Sequence, residues 1–314
     1  MKLIIQVPCF NEAAQLPDTL AQLPRRVAGF DEVEWLVVDD GSSDDTAAVA
    51  RAHGVDHVVS YGDNRGLAFA FAAGLEACCR RGADVIANVD ADNQYRADAL
   101  PALCAPVREG RADIVVGCRP IKQIAHFSAV KKLLQRLGSA VVRLISGADV
   151  ADATSGFRAY SRRAALTLNV HSRYTYTLET LVQARQARLV VATVAVGVNP
   201  PTRPSRLMRS TGEYLRRSML TMLRAFVIYR PLRFFMVPAV VLGMAGVVLG
   251  LRFVLRFVSD GGAGNVQSLI LAAILVLLAG LAVAIGLIAD LLSVNRRLLE
   301  DLQASQRRRD WQSP

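Results

Sequence analysis

Residues 84–94 read DVIANVDADNQ, an apolar run that ends on two carboxylates one residue apart, Asp90 and Asp92. A short apolar run bounded by turn formers is the pattern of a strand buried on both faces. The pattern recurs at Leu3 to Val7, Trp35 to Val38, His57 to Ser60 and Ile114 to Gly117, with the first strand here at Val85 to Val89. Between these runs, Ala13 to Leu23, Asp44 to Ala52, Leu67 to Arg81 and Ala97 to Arg108 carry helical spacing. Strands alternating with helices over residues 2 to 118 predict an α/β fold with a doubly wound, mostly parallel sheet. Ligands of such sheets collect beyond the carboxyl ends of the strands. The polar clusters fall at those ends: Asn11 and Glu12, Asp39 and Asp40, Asp90 to Gln94, and Arg119. One site built from several loops is expected.

Two carboxylates at a strand end can reach one hard divalent cation, which would also take phosphate oxygens and neutralise a leaving diphosphate. An isolated Asp-x-Asp is a weak signal, because surface loops use Asp to form turns. Its place at a strand end, level with other polar loops, gives it weight. DDGSSDDT (Asp39 to Thr46) also follows a strand. Gly41 permits a tight turn, and Ser42, Ser43 or Asp44 can cap the next helix, which leaves the doubled Asp39-Asp40 free to accept hydrogen bonds from a base and ribose. Asn64-Arg65-Gly66 opens a helix of small residues and permits close backbone approach, to a ligand or to the sheet. The four histidines, His53, His57, His126 and His171, are scattered and read as surface or helix-end residues.

The chain has 314 residues, with 37 Lys and Arg against 27 Asp and Glu, a net charge of +10. Such a charge suits nucleic acid, an anionic membrane or a phosphorylated substrate. Much of the excess lies between Arg203 and Arg233 and between Arg296 and Arg309, on either side of the most apolar part of the chain, so membrane is favoured and nucleic acid is not. Phe234 to Leu251 and Leu269 to Ala289 are each near the ~20 residues that cross a bilayer. Ser210 to Arg233 alternates Arg with apolar residues, as a helix lying in the membrane interface does. The expected division is a catalytic-size domain over 1–208, interfacial helices over 209–233, a two-helix hairpin over 234–290 and a basic tail over 291–314. The basic flanks place the first domain and both termini in the cytoplasm. Gly246 and Gly250 form a GxxxG pair able to seat a neighbouring helix. Five cysteines without CxxC spacing suggest neither a disulfide framework nor a zinc site.

The strings PCFNE, DDGSSDDT, NRGLAFAFAAG, DADNQ, VVGCR and DATSGFRAYSR, in this order and spacing over residues 3 to 233, resemble glycosyltransferase family 2, and within it the polyprenyl-phosphate sugar synthases. The resemblance implies a GT-A fold and inverting transfer from a UDP- or GDP-sugar, with Mg²⁺ or Mn²⁺, to a polyprenyl phosphate (undecaprenyl or dolichyl) at the cytoplasmic membrane. It also implies a homo-oligomer, with a tetramer as one form. Carried over by position, Pro8, Asn11, Glu12, Asp39, Asp40, Asn64, Gly66 and Ala91 line the nucleotide-sugar, while Asp90, Asp92 and Gln94 serve the metal and the donor phosphates. Arg203 and Arg206 belong to a basic loop over the donor. Arg119, Arg136, Ser139 and Arg158 hold the acceptor phosphate, and Asp92, Asp152 and Arg119 carry catalysis. Tyr174 and Tyr176 either touch the sugar or lipid or pack the start of a helix, while Glu179 facing a sugar hydroxyl fits the family pattern.

Two rival readings were weighed. A processive polysaccharide synthase would carry a QxxRW segment, but QRRRDW (Gln306 to Trp311) has different spacing and lies beyond both apolar spans. A non-catalytic nucleotide-sugar-binding scaffold would not need both Asp90 and Asp92.

Overall fold

A computed structural model describes residues 1–119, 150–170, 176–199, 223, 227, 231–260 and 266–310. The chain divides into two compact units, one over Met1–Met219 with Glu300–Pro314 and one over Leu220–Leu299.

The first unit begins with β1 (Lys2–Cys9), α1 (Leu16–Gln22), β2 (Glu32–Asp39), α2 (Thr46–Ala52), β3 (His57–Ser60), α3 (Leu67–Arg80) and β4 (Val85–Asn88). A 3₁₀ turn at Ala97–Ala99 leads into α4 (Leu100–Arg108), and β5 (Ile114–Cys118) follows. Then come β6 (Arg158–Ser161), α5 (Arg162–Thr167), α6 (Thr177–Gln186) and β7 (Val191–Ala195). The seven strands order as β3-β2-β1-β4-β6-β5-β7. All pairs are parallel except those of β6, which runs antiparallel to both β4 and β5. The sheet is therefore mixed, and the mostly parallel core expected for residues 2 to 118 is completed by a later strand that the pattern did not announce. Arg158–Ser161 has only four residues and sits inside a motif that reads as a loop.

Alternation along the strands sends side chains to two cores. Ile4, Leu36, Val38, Ile86, Ile114, Val116 and Tyr160 share one with Phe71 and Leu75 of α3 and Leu181 of α6. Leu3, Ile5, Val7, Val37, Val85, Ala87 and Val115 share the other with Leu16 and Leu20 of α1 and Leu103 and Cys104 of α4. Burial on both faces explains why these strands lack polar alternation. The strand order reverses between β1 and β4, so their loops diverge and leave a crevice. The backbone faces of β1 alternate too: Gln6 O accepts from Val89 N on the β4 side, and Cys9 O from Asp40 N on the β2 side. Pro8 shares the face of Gln6, beyond the last β1–β4 pair, so its missing N–H falls where β4 has already left the sheet.

The second unit holds α7 (Pro231–Asp260) and much of α8 (Val266–Asp310), both longer than the expected spans. Pro231–Ser259 and Val266–Arg296 are long and apolar enough to cross a membrane, with mean hydropathy of 2.4 and 2.9 in their most apolar stretches. Val237, Val241, Val247, Leu277 and Leu281 are exposed on their surfaces. Gly246 meets α8 within the same chain: a Cβ there would lie 2.8 Å from Val276 Cγ2 and 3.1 Å from Ala272 O. The Gly246 half of the GxxxG pair thus serves the hairpin itself. Gly246→Leu is expected to separate the helices at a cost of about 1–3 kcal/mol, read as a lower thermal midpoint of the detergent-solubilised chain.

Candidate active site

The site grows from the end of β4. After Asn88 the chain leaves the sheet, and Asp90 and Asp92 lie half-buried in the loop at the β1–β4 crevice. Three anchors fix this loop. Thr19 Oγ1 of α1 donates to Ala91 O at 2.8 Å. Asp92 Oδ1 accepts from Gln94 N at 3.2 Å, while Asn93 takes a left-handed φ of 55°, a conformation that Asn tolerates. From the chain following β7, Asn199 N donates to Gln94 O at 2.9 Å and Asn199 Nδ2 to Asn93 O at 3.0 Å. Neither Thr19 nor Asn199 was singled out from sequence, since each is a lone polar residue whose partners lie far along the chain.

Gly156 closes against Asp90. A Cβ at residue 156 would sit 2.5 and 2.6 Å from the two carboxylate oxygens, so only glycine leaves room for them. Burial, then the charge of Asp92, pushes the Asp90 carboxyl up to about 7, against the pull of Arg119 and Arg158. Two hard oxygen donors side by side, one of them resisting ionisation, suit a divalent cation. Among the described residues no cluster of three or more Asp, Glu, His or Cys exists to hold a metal, so its other positions would fall to phosphate oxygens and water.

Beside the pair, Arg119 at the end of β5 grips Asp152 in a fork, Nε to Oδ2 at 2.6 Å and Nη2 to Oδ1 at 3.1 Å. Asp152 is fully buried and also accepts from Thr154 Oγ1 at 2.9 Å. Burial opposes its ionisation, but the hydrogen bonds and charge of Arg119 outweigh this and hold its carboxyl below the ordinary Asp value. A carboxylate held in this way is a poor proton acceptor. Both of its oxygens are engaged by the Arg119 fork.

Arg158 turns inward. Its side chain is fully buried, with Nε donating to Ser155 O at 2.8 Å, Nη1 to Thr177 O and Thr180 Oγ1 at 2.9 Å, and Nη2 to Ala153 O at 2.8 Å. It ties the turn at residues 153–155 to α6 and lends positive charge beneath Asp90, instead of presenting a fork to an acceptor phosphate. Tyr176 is buried and stacks on Phe71 at 3.8 Å and 5°, the packing alternative of the two weighed for it.

At the other side of the crevice the doubled aspartates divide. Asp40 is fully used: Oδ1 accepts from Arg65 N at 3.0 Å and Oδ2 from Gly66 N at 2.7 Å, which fixes the entry to α3. Asp39 commits only Oδ1, to Ser42 N at 3.0 Å. Asn11 turns its Oδ1 to Ser43 N at 2.8 Å, and Glu12 N and Ala13 N donate to Thr46 Oγ1 and Asp44 Oδ2, so the loops after β1 and β2 are laced together. Asn64 is exposed on the neighbouring loop. Asp40 and Asn11 thus brace the loops at this end of the crevice. Arg136, Ser139, Arg203, Arg206 and Tyr174 lie outside the described residues.

A mixed α/β sheet with a carboxylate pair at its switch point is the frame of GT-A transferases. The chain belongs to glycosyl transferase family 2, whose profile matches residues 4–168. It is similar to an undecaprenyl-phosphate mannosyltransferase of Micrococcus luteus, 34% identical over 166 residues that cover 51% of this chain and 66% of that one. An uncharacterized glycosyltransferase of Mycobacterium tuberculosis is 35% identical over 199 residues, covering 63% and 85%. The chain spans slightly under two thirds of the first curated relatives, 66% of the Micrococcus protein and 61% of a polyprenol monophosphomannose synthase of Mycolicibacterium smegmatis. Among solved structures, glucosyl-3-phosphoglycerate synthase from Mycobacterium tuberculosis with phosphoglyceric acid superimposes with a TM-score of 0.57 at 26% identity, covering 71% of this chain and 79% of that one. The same enzyme with UDP gives a TM-score of 0.54 at 25% identity, with the same coverage.

Because the folded carboxyl of Asp90 is raised above the ordinary Asp range to about 7, its contribution to stability is full below about 4 and is lost as pH rises through about 7. Metal binding runs the other way, since the cation needs the ionised form. Mn²⁺ affinity in the presence of nucleoside diphosphate is expected to fall about tenfold per pH unit below 7, with a proton released on binding, as measured by calorimetry in buffers of different ionisation enthalpy. A pH-independent affinity between 5 and 7 would contradict this.

Proposed function

We propose that this chain transfers a sugar from a UDP- or GDP-sugar to a polyprenyl phosphate at the cytoplasmic face of a membrane, with inversion at the anomeric carbon. The observation that carries this reading is the carboxylate pair Asp90 and Asp92 beside the oriented guanidinium of Arg119, at the crevice of a chain that also bears two helices long enough to cross a bilayer. The names of relatives support the acceptor class, including a UDP-N-acetylglucosamine–dolichyl-phosphate transferase of Methanococcus voltae at 26% identity. The UDP complex of glucosyl-3-phosphoglycerate synthase supports a nucleoside diphosphate leaving group.

Asp90 and Asp92 would hold Mg²⁺ or Mn²⁺, with Gln94 on the same loop. When bound, the cation neutralises charge on the departing nucleoside diphosphate. Asp39 offers its second oxygen, Oδ2, to ribose or base, while Pro8, Glu12, Asn64, Gly66 and Ala91 complete the wall. A phosphomonoester has a second pKa of about 6, so the acceptor is largely dianionic at neutral pH and attacks without a strong base. The task left to the protein is to bring two anions together. Asp152 locks Nε and Nη2 of Arg119, which fixes its planar fork and leaves Nη1 for the acceptor phosphate. Arg136 and Ser139, with Arg203 and Arg206, are proposed to complete the acceptor and donor phosphate sites.

Purified full-length chain in detergent, offered UDP- and GDP-sugars with undecaprenyl and dolichyl phosphate, is expected to form a lipid-linked monosaccharide in at least one pairing. Asp92→Ala should lower kcat/KM by about a hundredfold or more. Absence of product in every pairing, or an unchanged Asp92→Ala rate, would refute the assignment. Arg119→Lys keeps the charge but loses the fork, and is expected to raise KM for the lipid by about tenfold while KM for the donor changes little.

A further inference from the structure

Beneath the crevice lies a polar cluster buried from solvent. Asn88 is the last residue of β4, paired with Gln6 of β1 on one side and Arg158 of β6 on the other, and is fully buried. Its Oδ1 accepts from Gln6 Nε2 at 2.8 Å. Its Nδ2 donates to Gly156 O at 2.8 Å and to Tyr176 Oη at 2.9 Å. Tyr176 Oη in turn donates to Gly156 O at 3.4 Å, which closes a ring of three groups. The stacking of Tyr176 on Phe71 of α3 fixes where that hydroxyl stands. Each half of the Asn88 amide is thus spent within the protein, as burial of such a group requires.

Both arms of the ring end on one atom, the carbonyl oxygen of Gly156. That residue is the one whose missing side chain makes room for the Asp90 carboxylate, with both oxygens within 2.6 Å of the point where a Cβ would stand. Position is therefore transmitted in a short chain: the ring sets the Gly156 backbone, and the backbone bounds the space in which Asp90 can lie. We infer that Asn88 and Tyr176 are positioning residues for the metal-binding carboxylate, acting through Gly156 without touching cation or substrate. The inference rests on the assignment of Asp90 to a cation. A shift of a few tenths of an ångström at Gly156 either crowds Asp90 or leaves it loose, and in both cases the two carboxylates lose the separation that a shared cation needs. Apolar residues of the same volume would fill the core equally well but would leave Gly156 O without donors.

Mn²⁺ binding to the full-length chain in detergent, with UDP and in parallel with GDP, can be read from the free-Mn²⁺ electron paramagnetic resonance signal without any turnover. Tyr176→Phe keeps the ring and its stacking and removes only the hydroxyl, so it stays informative even where Asn88→Leu does not fold. It is expected to raise the Mn²⁺ Kd by about tenfold. Val115→Ala, in the core on the opposite face of the sheet, is expected to lower the thermal midpoint with no change in Mn²⁺ affinity. A wild-type Kd in Tyr176→Phe, or an equal loss in Val115→Ala, overturns the inference. A wild-type Kd in Asp90→Ala overturns the underlying metal assignment instead, so the two failures are distinguishable.

Discussion

The site depends on keeping a carboxylate where water cannot fully solvate it. Asp90 stands at the end of a strand buried on both faces, next to a second carboxylate, and its ionised form is correspondingly disfavoured. The surrounding structure answers that constraint. Glycine at residue 156 makes room for the carboxylate, Arg158 supplies positive charge from below and Arg119 supplies it from the side. What remains unbalanced is an appetite for a cation, which an exposed pair of aspartates would not have.

The architecture was legible because it is written in long, local signals. Apolar runs bounded by turn formers located β1 to β5 to within about three residues, and the strand-end polar clusters marked the rim of one crevice. The β6 strand was not legible for a physical reason. Its four residues, RAYS, include an arginine and a serine and have no periodicity long enough to register. They become a strand because β4 and β5 both leave an edge for them. Tertiary pairing, not local preference, makes this element.

Polar and charged residues within recognisable strings were the least legible. Arg158, Asp40 and Asn11 each sit in a motif, and each spends its hydrogen bonds on the protein itself. A motif tells which positions matter to a site and not whether a side chain faces the ligand or braces the wall behind it. The converse also holds: Thr19, Asn88, Tyr176 and Asn199 brace the carboxylate loop or the glycine beside it through contacts spanning tens of residues, which no short string displays.

The placement of β6 has a consequence for how the chain acquires its structure. β4 and β5 are neighbours in sequence, but they meet only through a strand formed some forty residues after β5. Until Arg158–Ser161 emerges from the ribosome, the nascent sheet carries two unpaired apolar edges, each a template for another chain. The same late strand follows directly on Gly156. The step that seals the sheet against aggregation is therefore also the step that sets Gly156 against Asp90, and a chain unable to assemble the one is unable to assemble the other.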